Sequence, residues 1–190
     1  EKNFDSVFLF EGLFGLNMAS GNFLPYVVYE DTTAAIARRE WPAWVPDTMN
    51  THKYRHLESA LYQNAMAVFG ATGKTRASFI QDYGISPARA YNVGMGANLG
   101  IRAPGGQSGK NYILFVGYEV RRKGLDTLIA AFRNMEQGER PVYLYLAGTD
   151  IQPPDSHIKA LGRIADRESM RQLYDQAMAF VMPSLFDPMP

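Results

Sequence analysis

No cysteine occurs among the 190 residues, which excludes disulfide frameworks and thiolate metal sites and accords with a reducing compartment such as the cytoplasm. Excess charge of either sign is lacking too. Lys+Arg and Asp+Glu number 19 each, so no long-range field draws in a nucleic-acid backbone or an anionic membrane surface, and nucleic acid is not an expected partner. Any phosphate recognition has to be local. No apolar run approaches the roughly 20 residues of a spanning helix, and Glu1-Lys2-Asn3 does not open a signal peptide, so a soluble chain with no integral membrane segment is expected. Internal repeats, heptads and low-complexity tracts are absent as well. What is present is a composition of 46% hydrophobic, 13% aromatic and 20% charged residues, enough to bury a sizeable core in one large domain or in parts of two.

Short runs rich in Val, Phe, Tyr and Leu recur, each bounded by Gly, Asn, Asp or Pro, which is how buried parallel strands read. They are Ser6–Phe10, Tyr26–Tyr29, Met66–Phe69, Ala90–Val93, Tyr112–Val116, Val142–Ala147 and Ala179–Met182, with a weaker run at Ile158–Leu161. Helical spacing joins Leu57, Leu61, Ala65 and Val68, and again Leu125, Leu128, Ile129 and Phe132. A third helix fits Arg167–Ala177, with Met170, Leu173, Tyr174 and Ala177 on one face and Asp166 as N-cap. Strands alternating with helices predict an α/β, doubly wound parallel sheet. The glycine-rich stretch Gly94–Lys110 breaks this rhythm, and its composition links rather than packs. The expected organisation is therefore two Rossmann-like parallel-sheet units, 1–100 and 111–190, joined by a linker at 101–110. Each unit is expected to be incomplete, with both termini falling inside domains.

Several segments could carry chemistry. Gly70-Ala71-Thr72-Gly73-Lys74-Thr75 follows a strand and opens a helix, as a phosphate-binding loop does, but Val68 stands where that loop needs its first glycine. The other reading is a strand end with Thr72 capping a helix that turns Phe79 and Ile80 inward. Gly94-Met95-Gly96-Ala97-Asn98-Leu99-Gly100 is a dinucleotide fingerprint with its last glycine one residue late, and reads as linker. His52 and His56 are spaced to share a helix face, yet Glu58 lies off that face and no third ligand follows, so no metal site is expected. His157 has no partner in sequence and reads as a surface residue.

The strongest signal is Tyr112-Ile113-Leu114-Phe115-Val116-Gly117-Tyr118-Glu119-Val120-Arg121-Arg122-Lys123-Gly124. Here a strand and a glycine turn lead three consecutive cations to the start of a helix. Cations oppose the positive end of a helix dipole, so an anion nearby would relieve the conflict. That anion is either a diphosphate, held by these side chains and by free backbone N–H groups, or a carboxylate such as Glu119 or Asp126. At the carboxy terminus the strand Ala179–Met182 runs into Pro183-Ser184-Leu185-Phe186-Asp187-Pro188-Met189-Pro190, the position where ligands bind open α/β sheets. A proline-rich turn with Asp187 as cap is the alternative.

In order along the chain, these segments resemble the group-one family of retaining glycosyltransferases, often called family four, which has the two-Rossmann-domain (GT-B) fold. Phe115-Val116-Gly117 with Arg122-Lys123-Gly124 resembles the family's donor-phosphate motif, and Leu144-Tyr145-Leu146-Ala147-Gly148 its next strand. Leu161-Gly162-Arg163-Ile164 is similar to the loop that touches the nucleotide base. Gln172-Leu173-Tyr174-Asp175-Gln176-Ala177 and then Phe180-Val181-Met182-Pro183-Ser184-Leu185-Phe186-Asp187-Pro188 resemble the approach to its acidic sugar-binding loop. Upstream, Asp82-Tyr83-Gly84-Ile85, Val93-Gly94-Met95-Gly96-Ala97-Asn98 and Tyr29-Glu30-Asp31-Thr32-Thr33 resemble parts of the acceptor domain. Two positions depart from the pattern: Tyr118 stands where many members carry arginine, and Asp187 where most carry glutamate.

The resemblance implies transfer of a sugar, with retention, from a nucleoside-diphosphate sugar to an acceptor hydroxyl that is sugar, lipid-linked or other. It implies no metal and no further cofactor, and a cytoplasmic location or a peripheral one at the membrane. Lys123, Arg122 and Asp187 are the implied catalytic residues, the cations meeting the leaving diphosphate and Asp187 the sugar hydroxyls. Gly117, Tyr118, Arg121, Gly148, Gly162, Arg163, Ile164, Ser184 and Leu185 are the implied donor-binding positions. Two other functions stand beside it: a catalytically silent nucleotide-binding module of the same fold, and a nucleotide hydrolase built on Gly73-Lys74-Thr75.

Overall fold

The computed structural model describes residues 4–20, 24–96, 110–135, 138 and 140–188, and the chain divides into two compact units whose described residues run 4–96 and 110–188. The expected linker 101–110 lies outside the described residues except for Lys110, as does the fingerprint-like run beyond Gly96.

In the first unit, β1 (Val7–Phe10), β2 (Tyr26–Glu30), β3 (Ala67–Gly70) and β4 (Ala90–Asn92) form a parallel sheet in the order β1-β2-β3-β4. Val28, Leu61, Tyr62, Val68, Phe79 and Ile85 fill its core. Three helices pack around it: α1 (Ala34–Glu40), α2 (His52–Asn64) and α3 (Gly73–Gln81). Each begins on a threonine whose hydroxyl accepts from a first-turn N–H: Thr33 from Ile36, Thr51 from Tyr54 and Thr72 from Thr75. The Thr72 cap and the buried Phe79 agree with the capped-helix reading of this segment. The apolar stripe of α2 overruns the helix, however. Its backbone turns extended at Ala65, and Val68 belongs to β3, because the spacing Leu61, Ala65, Val68 crosses the helix end by coincidence. Helix α1 has no counterpart in the sequence reading, since seven residues with Ala34, Ile36 and Ala37 inward give too short a stripe.

In the second unit, β5 (Tyr112–Val116), β6 (Tyr143–Ala147), β7 (Ile158–Gly162) and β8 (Ala179–Phe180) form a parallel sheet in the order β7-β6-β5-β8. Alternation along β5 divides the core between the two faces. Phe115 packs with Leu125, Leu128 and Phe132 of α4 (Leu125–Arg133). Tyr112 and Leu114 face Met170, Leu173 and Tyr174 of α5 (Arg167–Gln176). Asp166 caps α5, its Oδ2 accepting from Ser169 N–H at 2.8 Å. The sheet thus carries a helix on each face. Its order reverses once: the chain steps outward from β5 to β6 to β7, then returns to the other side of β5 as β8. The carboxyl ends of β5 and β8 flank this switch point, the place where open α/β sheets generally bind ligands.

Candidate functional site

Four loops leave the carboxyl ends of the second sheet, and backbone contacts hold three of them together. Gly117 N–H, after β5, donates to Ala147 O at 2.9 Å, and Gly148 N–H, after β6, donates to Gly162 O at 2.7 Å. Gly148 has φ 88, and a Cβ there would lie 3.1 Å from Gly117 O. A Cβ on Gly117 would lie 3.1 Å from Cγ of Lys123, so the lysine stem folds back over its own turn. The fourth loop, after β8, meets the turn between β5 and α4. Leu185 N–H donates to Arg122 O at 2.8 Å. Gly124, in the left-handed region at φ 72, leaves no space there: a Cβ would sit 2.0 Å from Pro183 O.

The neighbouring cations have different surroundings. Arg122 is 7% exposed. Its Nε and Nη2 donate to the two carboxylate oxygens of Glu119 at 2.8 and 2.9 Å, and its Nη1 donates to Phe186 O at 3.1 Å. The arginine hydrogen bonds hold the Glu119 carboxyl below the usual carboxylate range, and Glu119 in turn raises Arg122. Lys123 reaches the fourth loop, its Nζ 2.5 Å from Oδ2 of Asp187, which also accepts from Ser184 Oγ at 3.3 Å. Both side chains of this pair are largely buried, at 15% and 8% exposure. Arg121 is exposed and has no ion-pair partner among the described residues. Asp126, in the first turn of α4, is exposed as well.

The conflict between cations and helix dipole is therefore relieved within the protein, by Glu119 at Arg122 and by Asp187 at Lys123. The two arrangements differ in what a ligand could change. The Arg122 fork is divided between a bidentate carboxylate and a carbonyl, and ties the two loops together. The Lys123 ammonium faces a single carboxylate of the acidic loop, at the switch point. The Arg122–Phe186 link could not be read from sequence, although Glu119 was visible as a neutralising neighbour three residues away.

The remaining sequence candidates are dispersed around these loops. Tyr118 is 76% exposed, and Leu185 and Arg163 are exposed. Ile164 packs beside the Tyr112 cluster. Gly162 has φ 65, and a Cβ on it would lie 3.1 Å from Asp150 Oδ1. In the first unit, Lys74 pairs with Glu40 at the surface, and Thr75 Oγ1 donates to Asp31 O at 2.6 Å, so both side chains of the phosphate-loop look-alike are engaged. His52 and His56 are exposed on α2, while Glu58 is buried against Arg38. His157 lies 3.7 Å from Asp155. Among the described residues no group of three or more His, Cys, Asp or Glu is placed to hold a metal ion, and no helix is long and apolar enough to cross a membrane.

Residues 110–190 match the family described as glycosyl transferases group 1. No curated protein sequence matches the chain. The chain superposes on the apo form of the lipopolysaccharide outer core galactosyltransferase WaaB with a TM-score of 0.63 and 13% identity, covering 98% of this chain and 52% of that one. At such identity the likeness concerns the fold, and the chain spans about half the length of the protein it matches. Two parallel four-stranded sheets, each with its helices, are accordingly two Rossmann-like units as in a GT-B glycosyltransferase fold, and the second of them is the part of the chain similar to glycosyl transferases group 1.

Proposed function

We propose that the protein moves a sugar from a nucleoside-diphosphate sugar to an acceptor hydroxyl, with retention at the anomeric carbon and without a metal. The observation that carries this reading is the Lys123–Asp187 pair beyond the switch point between β5 and β8. In the donor complex the diphosphate takes the Lys123 ammonium and approaches the start of α4. Gly117 and Gly148, which lack side chains, let the Lys123 stem and the loops after β5 and β6 close on one another beside the phosphates. Asp187, released, accepts hydrogen bonds from hydroxyls of the donor sugar and favours positive charge building on its ring. Gly162, Arg163 and Ile164 lie towards the nucleotide base, with Ser184 and Leu185 beside the sugar. The bond from the anomeric carbon to the diphosphate breaks and the acceptor oxygen bonds to that carbon on the same face. The acceptor proton leaves with the diphosphate. Negative charge grows on the leaving group in the transition state, so the fixed Lys123 charge acts as an electrostatic catalyst. Arg122 serves by holding the two loops in register, and Arg121, exposed at the same turn, adds a second cation to the phosphates.

The test is a titration of the full-length protein with UDP and GDP, followed by transfer and donor-hydrolysis assays with the corresponding nucleotide sugars. One diphosphate binds, and Lys123→Ala lowers sugar transfer by on the order of a hundredfold or more. NMR of the product shows the anomeric configuration of the donor. Wild-type turnover in the Lys123→Ala protein sinks the assignment. The exposed Tyr118, where the family often carries arginine, favours one other reading, a nucleotide-binding module without catalysis; diphosphate binding with neither transfer nor hydrolysis would establish it.

A further inference from the structure

In the second unit β5 and β6 are each followed by a glycine, Gly117 and Gly148, and β7 ends on one, Gly162. The sheet order β7-β6-β5-β8 sets these ends in a row on one side of the switch point, with the loop that carries Asp187 on the other. A nucleoside-diphosphate sugar whose diphosphate meets Lys123 and whose sugar meets Asp187 therefore extends its nucleoside over β6 and β7. The end of β7 is two strand spacings from β5, about 10 Å, which ribose and base together span.

The loop after β6 is anchored at that end. Gln152 ties it to β7, its Nε2 donating to Ile158 O at 2.6 Å and its Oε1 accepting from Ala160 N–H at 2.9 Å. Thr149 is buried, and its hydroxyl accepts from Ile151 N–H at 3.2 Å. Between these anchors Asp150 is exposed. A Cβ on Gly162 would lie 3.1 Å from Asp150 Oδ1, so the carboxylate stands against the turn that ends β7. The other carboxylates in the loops that leave the carboxyl ends of the strands are engaged: Glu119 by Arg122, Asp155 by Arg133 and His157 N–H, Asp166 by the first turn of α5, and Asp187 by Lys123. Asp150 makes no hydrogen bond or ion pair among the described residues.

A carboxylate only accepts hydrogen bonds. Guanine is the one common base whose pairing edge offers two adjacent donors, N1–H and the N2 amino group, side by side as two carboxylate oxygens require. Uracil presents N3–H between two carbonyl oxygens. Adenine and cytosine present an amino group beside a ring nitrogen that accepts. Each of these sets an acceptor against the second carboxylate oxygen. We propose that Asp150 selects a guanosine diphosphate sugar as donor, its two oxygens accepting from N1–H and the N2 amino group of guanine. This assignment rests on the sugar-transfer reading and adds the identity of the nucleotide to it.

The test is calorimetric titration of the full-length protein with GDP, UDP, ADP and inosine diphosphate, which is GDP without the N2 amino group. GDP binds wild type at least about tenfold more tightly than UDP or ADP, and about tenfold more tightly than inosine diphosphate. In Asp150→Ala the amino group no longer matters, and GDP and inosine diphosphate bind within about threefold of each other. Each comparison sets two ligands on the same folded protein, so a general loss of structure cannot produce it. The proposal is overturned if UDP, ADP or inosine diphosphate binds wild type as tightly as GDP, or if Asp150→Ala keeps the wild-type preference for GDP over inosine diphosphate. In those cases a diphosphate still binds and the sugar-transfer reading stands. A protein that binds none of the four nucleotides overturns both.

Discussion

Arg122 and Lys123 are adjacent in sequence and carry the same formal charge, yet their surroundings give them different work. A guanidinium presents a planar fork, and here the fork fits both oxygens of Glu119 while its remaining nitrogen holds Phe186 O. Arg122→Lys keeps the charge and loses the fork. It is expected to lower stability by about 2 kcal/mol in urea unfolding, because a buried carbonyl and one carboxylate oxygen lose a charged donor. Its effect on sugar transfer is expected to be smaller than that of Lys123→Ala, since the ammonium at position 123 remains; an equal or larger loss would place Arg122 on the diphosphate itself. Glu119 was recognisable from sequence as a neutralising neighbour because it lies one helical turn away. The link to Phe186 was not, because nothing local couples residues 64 positions apart.

At the level of elements, Gly124 decides whether the turn between β5 and α4 and the loop after β8 can close on each other. Its backbone is left-handed at φ 72, and Pro183 O occupies the place of a side chain. Gly124→Ala is expected to cost more than about 2 kcal/mol, combining left-handed strain with a backbone collision, and to separate the loops that bring Lys123 to Asp187. Unfolding in urea together with donor binding measures both; a variant with unchanged stability and affinity would contradict the packing. Most strands were legible as apolar runs, since strands covered on both faces need such runs along their whole length. Caps at Thr72 and Asp166 were legible because side-chain oxygens at those positions have few other uses. Helix α1 was not, its seven residues offering less than two full turns of pattern, and the end of α2 was blurred by apolar residues that continue into β3.

For the whole molecule, the buried carboxyl of Glu30 makes stability depend on pH. Burial raises it from 4.5 to about 8, so between these values the folded protein holds a proton that the unfolded chain has released. This contribution is fully present below about 4.5 and is lost as pH rises through about 8, at up to about 1.4 kcal/mol per pH unit. Glu58, also raised by burial although Arg38 opposes it, acts in the same direction, with Glu11, Asp31 and Tyr62 lining a common cavity. The difference in unfolding free energy between wild type and Glu30→Gln is expected to fall from pH 5 to pH 8; a flat difference would mean that Glu30 is ionised in the folded state. Alternation of apolar runs and helical stripes was enough to establish paired α/β units, and the run of cations before Leu125 was enough to point to an anion near that helix start, because both signals are local. Which cation is locked in the scaffold, which one faces the acidic loop, and that a glutamate at the end of β2 keeps its proton were decided only by the folded chain. Partner and solvation are set by residues distant in sequence, and a side chain's charge state has no value until its surroundings exist.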